Sequence, residues 1–387
     1  MIENGFTYLA TLMMIASSIV YIEKKNQSRF FEYLPAIVII YFIVMLASTL
    51  GVWQKTEAIT ATYKTIKSNL LPAMIFLMLL NADMREIFKL GHKMLLTFFL
   101  ASISIAFGFI GMFTLFHTYF EPDAWKAFAA LSGSWMGGTA NMVAIQSALN
   151  LPDSAMGYTL LIDSIDYAIW VMILLALVPF AKKFNKWTKA DTSIIDEVGK
   201  KLAQKEAQKK PIDFASLFFL LGISLFVSAL AQYEASFLPT TSFLTTTTWV
   251  IIIATFAGIL FAMTPLAKIS GSSELANIML YLIVALIASR ANFSELSQAP
   301  LYIFAGFIII SIHSIFMLFF AKLFHLDLFS LGVASLANIG GVASAPILAS
   351  AYSKALIPIG VLMAMLGYIL GTFGGLMVGK ILEMIAH

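Results

Sequence analysis

Two stretches of the chain pair glycines with small polar residues inside otherwise apolar sequence. Residues 132–150 read SGSWMGGTANMVAIQSALN, and residues 335–353 read SLANIGGVASAPILASAYS. When Gly137-Gly138 is laid on Gly340-Gly341, other identical residues fall in register. These matches are Ser132 with Ser335, Ala140 with Ala343, Ser147 with Ser350, Ala148 with Ala351 and Gly157 with Gly360. The match predicts one structural unit that is used twice.

The composition of these stretches indicates a binding site in a membrane. Irregular backbone at membrane depth persists only against protein or a wet cavity, where it can bind Na⁺ through carbonyl oxygens or anions through helix N-termini. Glycine destabilises a helix interior by about 1 kcal/mol, so each Gly-Gly pair marks a turn or an unwound segment. The alternative is close packing of helices through small residues. The predicted substrate-binding residues are Ser134, Gly137, Gly138, Thr139, Asn141, Asn338, Gly340, Gly341 and Ser344.

Two carboxylates lie in the apolar run that follows the first stretch. Asp166 is near the middle of residues 156–180, and Asp163 is one turn earlier on the same predicted helix face. A carboxylate at the bilayer centre costs a few kcal/mol, which favours a functional role over hydrogen bonding to a neighbouring helix. The residues predicted to couple an ion are Asp163, Asp166, Ser132 and Ser335. The ligands predicted for Na⁺ are Asp163, Asp166 and Thr139, and H⁺ is the alternative coupling ion.

The composition sets the class of protein that must position these residues. Hydrophobic residues make up 60% of the chain and charged residues 12%. Several windows of about 20 residues lack charge, which is the length that spans a bilayer as a helix. These features predict an all-α polytopic membrane protein. A net charge of +3 is too small to indicate nucleic acid, and the absence of cysteine excludes disulfides and thiol catalysis.

No motif in the sequence indicates an enzyme or an ATP-driven pump. The chain shows no Walker A sequence, no metal-ligand cluster and no pattern of a catalytic triad. We therefore expect no enzymatic activity and no cofactor other than a coupling ion, Na⁺ or H⁺. The expected partners are a small-molecule substrate and the lipid bilayer.

Loop charges predict how the Gly-Gly stretches sit in the membrane. Residues 181–213 carry nine lysines against five acids, which places this segment in the cytoplasm by the positive-inside rule. If each stretch is a hairpin, each half has five crossings, all basic loops are cytoplasmic and both termini are extracytoplasmic. If each stretch is a broken crossing helix, one basic set lies outside. We favour the hairpin, and an odd number of crossings inverts the second half relative to the first.

At SWMGGTANMVAI and LANIGGVASAPIL the sequence resembles the bacterial membrane family catalogued as domain-of-unknown-function family 819, the YjcL-like proteins. The resemblance covers nearly the whole chain. The family is grouped with the cation/proton antiporter and anion transporter superfamily, which includes sodium–glutamate, citrate-type and bile-acid sodium symporters. That kinship implies inverted repeats, a scaffold, a mobile core moving as an elevator, coupling to Na⁺ or H⁺ and a homodimer. In citrate-type relatives glycine-rich hairpin tips line the substrate site, but this chain has Ala140 and Ala343 where their G-G-x-G pattern has a further glycine.

Together these expectations define a complete architecture. The predicted parts are a first repeat 1–180 (scaffold 6–52, core 70–180), a cytoplasmic linker 181–213 and a second repeat 214–387 (scaffold 214–265, core 275–380). The expected function is secondary transport of a small polar or anionic organic solute, such as an amino acid, carboxylate, sugar acid or cell-wall fragment, across the bacterial inner membrane. The alternatives are a cation/proton antiporter without an organic substrate and a non-transporting membrane enzyme or receptor.

Overall fold

The computed structural model describes residues 1–26, 31, 35–54, 56–191, 211–241, 244–293 and 299–387, apart from the side chains of Asn26 and Lys354. Within these ranges every regular element is a helix, and extended pairing is limited to a bridge between Ile2 and Trp53. The prediction of an all-α protein is confirmed. Most of the predicted linker, residues 192–210, lies outside the described residues.

The helices are numbered in chain order, and a further helical turn, Met84–Ile87, precedes α4. In the first half they are α1 (Gly5–Asn26), α2 (Ala36–Thr49), α3 (Glu57–Leu79), α4 (Gly91–Phe116), α5 (Ala124–Gly137), α6 (Thr139–Ala148), α7 (Met156–Leu177) and α8 (Ala181–Thr188). In the second half they are α9 (Phe214–Ala235), α10 (Thr246–Ala262), α11 (Ser272–Ala288), α12 (Ala299–Leu323), α13 (Leu328–Ile339), α14 (Gly341–Tyr352) and α15 (Ile357–Ala386).

Six helical segments of the described chain are long and apolar enough to cross a membrane. They are Gly5–Lys25, Met84–Tyr119, Met156–Thr188, Phe214–Ala235, Ala299–Leu323 and Ile357–Ala386. Each corresponds to a predicted crossing. The other four predicted crossings correspond to the shorter apolar helices α2, α10 and α11, and to α3, whose first turns are polar.

Helix α3 begins earlier than the apolar run predicted from residue 70. It starts at Glu57, because the Thr56 side chain accepts a hydrogen bond from the Ile59 amide and so caps its N-terminus. The predicted start of the first core therefore falls inside one continuous helix. Helices α3 and α11, both assigned to the core from sequence, pack with α9 and with α1 and α2, which were assigned to the scaffold. The division into scaffold and core stays a prediction.

The first Gly-Gly stretch is a helical hairpin, formed by α5 and α6. The backbone reverses at Gly138, whose φ of 87° belongs to the left-handed region that favours glycine. A Cβ placed on Gly133 would clash with Ile145 and come 3.5 Å from the Asn141 carbonyl oxygen. In one straight helix Gly133 and Ile145 would be about 18 Å apart. The two ends of the hairpin, at Asp123 and Asn150, line the same surface cavity, so the chain enters and leaves on one side.

The second Gly-Gly stretch is also a hairpin, formed by α13 and α14. Its turn is at Gly341, with a φ of 57°. A Cβ on Gly332 would lie 3.0 Å from the side chain of Leu348, and the rings of Phe329 and Tyr352 pack edge to face with centroids 5.3 Å apart. A straight helix would separate the latter pair by more than 30 Å. The structure thus favours the hairpin over the broken crossing helix for both stretches.

The two hairpins enter the helix bundle from opposite ends. At one end, which we call the basic end, the Lys93 ammonium donates to the Asp191 carbonyl at 2.8 Å and the Lys322 ammonium to the Trp187 carbonyl at 2.5 Å. The start of the second hairpin, Leu328, lies at this end, where its amide donates to Asn185. The first hairpin starts at the other end, called the opposite end, where Thr245 donates to the Ala148 carbonyl.

Helix α15 packs directly on the first hairpin through a stripe of glycines. A Cβ on Gly371 would lie 2.7 Å from the Cα of Gly137, and one on Gly375 would lie 2.8 Å from the Cα of Gly133. A Cβ on Gly379 would lie 2.9 Å from the side chain of Ala129. Small residues at every fourth position let the two backbones touch, which is how membrane helices gain packing energy in lipid.

Candidate functional site

The tips of both hairpins meet at one cavity of about 210 Å³. One wall comes from the tips and from α7 and α15, and the other from α2, α3 and α11. The lining residues of the first wall are Ser134, Gly138, Thr139, Ala140, Asp163, Ser164, Tyr167, Ile339, Gly340, Gly341, Val342, Ala343 and Tyr368. Those of the second wall are Pro35, Ile37, Val38, Met78, Asn277, Leu280 and Tyr281. The structure therefore brings together six of the predicted site residues from positions far apart in sequence, namely Ser134, Gly138, Thr139, Asp163, Gly340 and Gly341.

In the first tip, Gly137 and Asn141 support the turn and do not line this cavity. A Cβ on Gly137 would clash with the carbonyl oxygen of Gly367, so only glycine fits against α15. The Asn141 side chain donates to the Gly137 carbonyl at 2.6 Å and accepts from the Thr372 hydroxyl at 2.5 Å. These contacts fix the tip to α15 and leave Gly138 and Thr139 facing the cavity.

The second tip has a comparable arrangement with different neighbours. Gly340 lies against the hydroxyl of buried Ser344 and the ring of Tyr167, close enough that a Cβ would clash with both. Asn338 is buried one turn before the tip, where it accepts from the Ser102 hydroxyl at 2.7 Å and donates to the Ala334 carbonyl at 2.9 Å. Asn338 therefore holds the second hairpin in place, and Gly340 and Gly341 line the cavity.

The carboxylate of Asp163 faces the cavity between the two tips. Its Oδ1 accepts hydrogen bonds from the Ser134 hydroxyl at 3.0 Å and from the Trp135 indole nitrogen at 3.1 Å. Both donors lie on α5, so the first hairpin orients this side chain. Because both donors use the same oxygen, Oδ2 is the atom available to a ligand.

Asp166 lies outside this cavity, although it is only three residues further along α7. Its side chain is fully buried, and a Cβ on Gly306 of α12 would clash with Oδ2. Neither carboxylate oxygen has a hydrogen-bond partner among the residues that the structure describes. The prediction that Asp163, Asp166 and Thr139 share one Na⁺ is not supported by this arrangement, because only Asp163 and Thr139 line the cavity. One helical step of three residues turns the second acid towards α12.

The two serines predicted to assist ion coupling have structural partners. The Ser132 hydroxyl donates to the Ala129 carbonyl of its own helix at 2.8 Å. The Ser335 hydroxyl accepts from the Trp170 indole nitrogen at 2.8 Å and lies 2.8 Å from His313 Nε2. The other ring nitrogen of His313 is 2.7 Å from the Ser104 hydroxyl. These residues join α4, α7, α12 and α13 inside the protein, and none of them lines the cavity.

Several lining residues carry no signal that could have been read from sequence. Tyr167, Tyr281 and Tyr368 come from three different helices and approach the cavity only because the helices pack as they do. Ser164 and Asn277 are small polar residues in apolar runs, of a kind that also occurs at helix contacts. In the sequence, the only indications that these two residues belong to the site were that Ser164 follows Asp163 and that Asn277 lies near the start of a helix.

The fold and the site define a polytopic α-helical membrane protein with two helical hairpins whose tips meet at one cavity. Comparison with known proteins places it in a family. The profile described as "Protein of unknown function (DUF819)" matches residues 10–385, and the chain belongs to this family. It is 26% identical over 330 residues to the "Uncharacterized membrane protein YjcL" of Bacillus subtilis (strain 168), covering 82% of this chain and 83% of the relative.

Proposed function

We propose that the protein is a secondary active transporter that carries a small polar organic solute across the bacterial inner membrane, coupled to Na⁺ or H⁺. The observation that carries the proposal is the meeting of two hairpin tips, Gly138-Thr139 and Gly340-Gly341, at one cavity with a carboxylate. Irregular backbone inside a membrane persists where it lines a substrate or ion site. The proposal includes no enzymatic activity and no cofactor other than the coupling ion.

The course of the chain supports two inverted repeats of five crossings each. The first hairpin starts at the opposite end and the second at the basic end, as expected for halves inserted in opposite orientations. By the positive-inside rule the basic end is cytoplasmic. Ile2 pairs with Trp53 near the opposite end, and His387 lies beside Asp123 there, so both ends of the described chain are extracytoplasmic in this proposal.

We propose that the structure corresponds to a state in which the cavity is reached from the basic end. Pro35 and Val38 lie at the basic end of α2, Met78 lies at that of α3, and Asn277 lies in the half of α11 nearest that end. These residues form the cavity wall on the side of the proposed scaffold. Exchange between this state and a state that is open at the opposite end exposes the same site to either side of the membrane, which is the requirement for alternating access.

Contacts near the first hairpin close the route from the opposite end. The Lys67 ammonium of α3 donates to Gln146 of α6 at 3.0 Å and lies 3.5 Å from the Asp153 carboxylate. The Tyr63 hydroxyl donates to the same carboxylate at 2.7 Å. These side chains join α3 to the first hairpin and to the loop that follows it, so an outward-open state requires that they separate.

An elevator movement accounts for how the site changes sides. We propose that α1 to α3 and α9 to α11 form the scaffold, because they pack on one another, and that both hairpins with α4, α7, α12 and α15 form the mobile core. The partners proposed are the solute, the bilayer and a second copy of the chain, as implied by the family resemblance. In this proposal the solute and the ion both bind to the core. The core changes sides only when both are bound, because together they stabilise the state that can move, which is coupling by differential affinity.

We assign ion coupling to Asp166. A fully buried carboxylate without a partner is costly in its charged form, so binding a proton or Na⁺ removes an uncompensated charge from the core. Uptake of a cation at Asp166 also changes how α7 packs on Gly306 of α12. The ion state of Asp166 is thereby linked to helix packing inside the core.

The test is transport in proteoliposomes that hold purified protein, with an imposed Na⁺ or H⁺ gradient. The Asp166→Asn variant should lose gradient-driven uptake by at least about tenfold and keep its folded elution profile. Glu121→Gln, on an exposed loop, serves as the control and should transport normally. Unchanged gradient-driven uptake by Asp166→Asn would show that the ion assignment is wrong. Ion exchange without any solute would identify a cation/proton antiporter instead.

A further inference from the structure

The charge of the cavity lining is one-sided. Asp163 is the single acidic residue among the described residues of the lining, and no lysine, arginine or histidine occurs among them. A charge held away from bulk water is costly unless an opposite charge or hydrogen-bond donors accompany it. A ligand with a positive group would supply the missing charge, whereas a second anion would be repelled.

The geometry of Asp163 favours a ligand that donates hydrogen bonds. Ser134 and Trp135 both donate to Oδ1 and hold the carboxylate plane in one orientation. Oδ2 remains available on the cavity side. A group with several N–H donors can reach this oxygen and neighbouring acceptors together, and an ammonium carries three such donors. Hydrogen bonds between an ammonium and a carboxylate are about twice as strong as neutral ones.

Three aromatic residues line the same cavity as Asp163. They are Tyr167 of α7, Tyr281 of α11 and Tyr368 of α15. The face of an aromatic ring attracts cations, and the attraction strengthens when water is excluded. A cavity that combines one carboxylate with tyrosine rings favours an ammonium group over a second carboxylate at Asp163.

The size of the cavity is compatible with a small solute. Its volume of about 210 Å³ is below the roughly 300–1,000 Å³ of pockets that enclose drug-sized ligands. A free amino acid or a simple amine fits this space. The N-terminus of α6, at Thr139, lies on the same lining and can accept the carboxylate of a zwitterion.

We propose that the transported solute is a small ammonium compound, an amine or a zwitterionic amino acid, whose ammonium group binds Asp163. This inference rests on the proposed transport function and adds the chemical class of its substrate. It also separates the two acids of α7, because Asp163 then binds the solute and Asp166 is left to couple the ion.

The experiment compares probes that differ only in the ammonium group. Purified full-length protein is tested by thermal unfolding with L-alanine against L-lactate, L-serine against glycerate, ethanolamine alone and succinate, each with and without Na⁺ and at two pH values. A ligand that binds the folded state raises the unfolding temperature. We expect shifts with the ammonium members only. A shift with ethanolamine indicates an amine site, and shifts with amino acids alone indicate a zwitterion site.

Variants of Asp163 separate binding from folding. Asp163→Asn should weaken binding of the ammonium probe at least about tenfold, and Asp163→Glu should retain the preference for ammonium over hydroxyl. Glu121→Gln should bind as the wild type does. The inference is overturned if carboxylates bind and ammonium probes do not, if no ammonium probe binds, or if Asp163→Asn binds them normally. Gradient-driven uptake of a carboxylate would overturn the substrate class and leave transport standing, whereas the absence of any solute uptake would overturn the transport function itself.

Discussion

The two hairpins share a sequence pattern and a turn, yet they are supported differently. In both hairpins a polar side chain lies against the first glycine of the pair and comes from the residue four positions later. Asn141 lies against Gly137, and Ser344 lies against Gly340. The first tip is pressed against the glycine stripe of α15. The second tip faces the larger side chain of Tyr167 on α7.

Burial follows the same division. Ala140, two residues after the first turn, is 4% exposed, whereas its counterpart Ala343 is exposed. At the first glycine of each pair, a Cβ on Gly137 would clash with backbone atoms of α15, whereas one on Gly340 would clash only with the side chains of Ser344 and Tyr167. The comparison teaches that a repeated element becomes asymmetric through the atoms that meet each tip, which are backbone atoms of α15 at Gly137 and the Tyr167 side chain at Gly340.

The largest effect should come from filling the contact at the first tip. Gly137→Ala places a methyl group against the Gly367 carbonyl oxygen and 2.7 Å from the Cα of Gly371. Both obstacles are backbone atoms and cannot rotate away, so we expect a loss of about 3 kcal/mol or more. The matched change Gly340→Ala meets only the side chains of Ser344 and Tyr167, which can move, so we expect a smaller loss of about 1–3 kcal/mol.

Thermal unfolding of both variants in detergent measures this difference. Gly137→Ala should unfold at a clearly lower temperature than Gly340→Ala, or fail to fold. Equal unfolding temperatures would contradict the view that the two tips are supported differently. An intermediate variant, Gly374→Ala, meets only the flexible side chain of Met136 at 3.1 Å and should remain close to the wild type.

A smaller effect is expected from the hydrogen bond that ties the first tip to α15. Asn141→Ala and Thr372→Val each remove one partner of a buried bond of 2.5 Å. Each should cost about 1–3 kcal/mol, because the remaining partner is left unsatisfied. The double variant should cost less than the sum, with a coupling of about 1 kcal/mol. The same cycle for Asn338 and Ser102 provides the comparison at the second hairpin.

The fold could be predicted from sequence to the extent that one-dimensional signals determine it. Charge-free runs predicted the helices that could cross the membrane. The lysines in the loops indicated that each Gly-Gly stretch enters and leaves the membrane on the same side. The start of α3 at Glu57 was missed, because Lys64 and Lys67 reduce the hydropathy of a helix that is nevertheless continuous. The packing of α3 and α11 with the scaffold depends on long-range contacts that no local pattern contains.

The site was predicted through its glycines and one acid, and the remainder depends on three-dimensional packing. Asp163 and Asp166 differ by one step of α7, and which of them meets the cavity is decided by the position of α12 and Gly306. Asn141 and Asn338 were predicted to bind the substrate, but their side chains form hydrogen bonds within and beside the hairpins. Polar residues beside a turn can bind a ligand or the turn itself, and composition does not distinguish the two.

The smallest expected effect concerns the closure behind the first hairpin. Lys67→Met removes the ammonium that contacts Gln146 and Asp153, while Tyr63 still donates to the Asp153 carboxylate. Because the Asp153 carboxylate keeps other hydrogen-bond donors, we expect the variant to destabilise the closed arrangement by only about 1 kcal/mol relative to the open one. That energy shifts the ratio of inward to outward states by somewhat less than tenfold. Lys64→Met, at an exposed position of the same helix, is the matched control.

Cysteine labelling measures this shift, because the natural chain contains no cysteine. A single cysteine at Val342, on the cavity lining, should react with a membrane-impermeant maleimide from the basic end in otherwise unchanged protein. Adding Lys67→Met should raise the labelling rate from the opposite end severalfold, and adding Lys64→Met should not. A cysteine at Glu121 reports the orientation of the vesicles. If Lys67→Met leaves labelling unchanged on both sides, the contacts of Lys67 do not hold the first hairpin closed, and the difference between the two hairpins rests on the glycines of α15 alone.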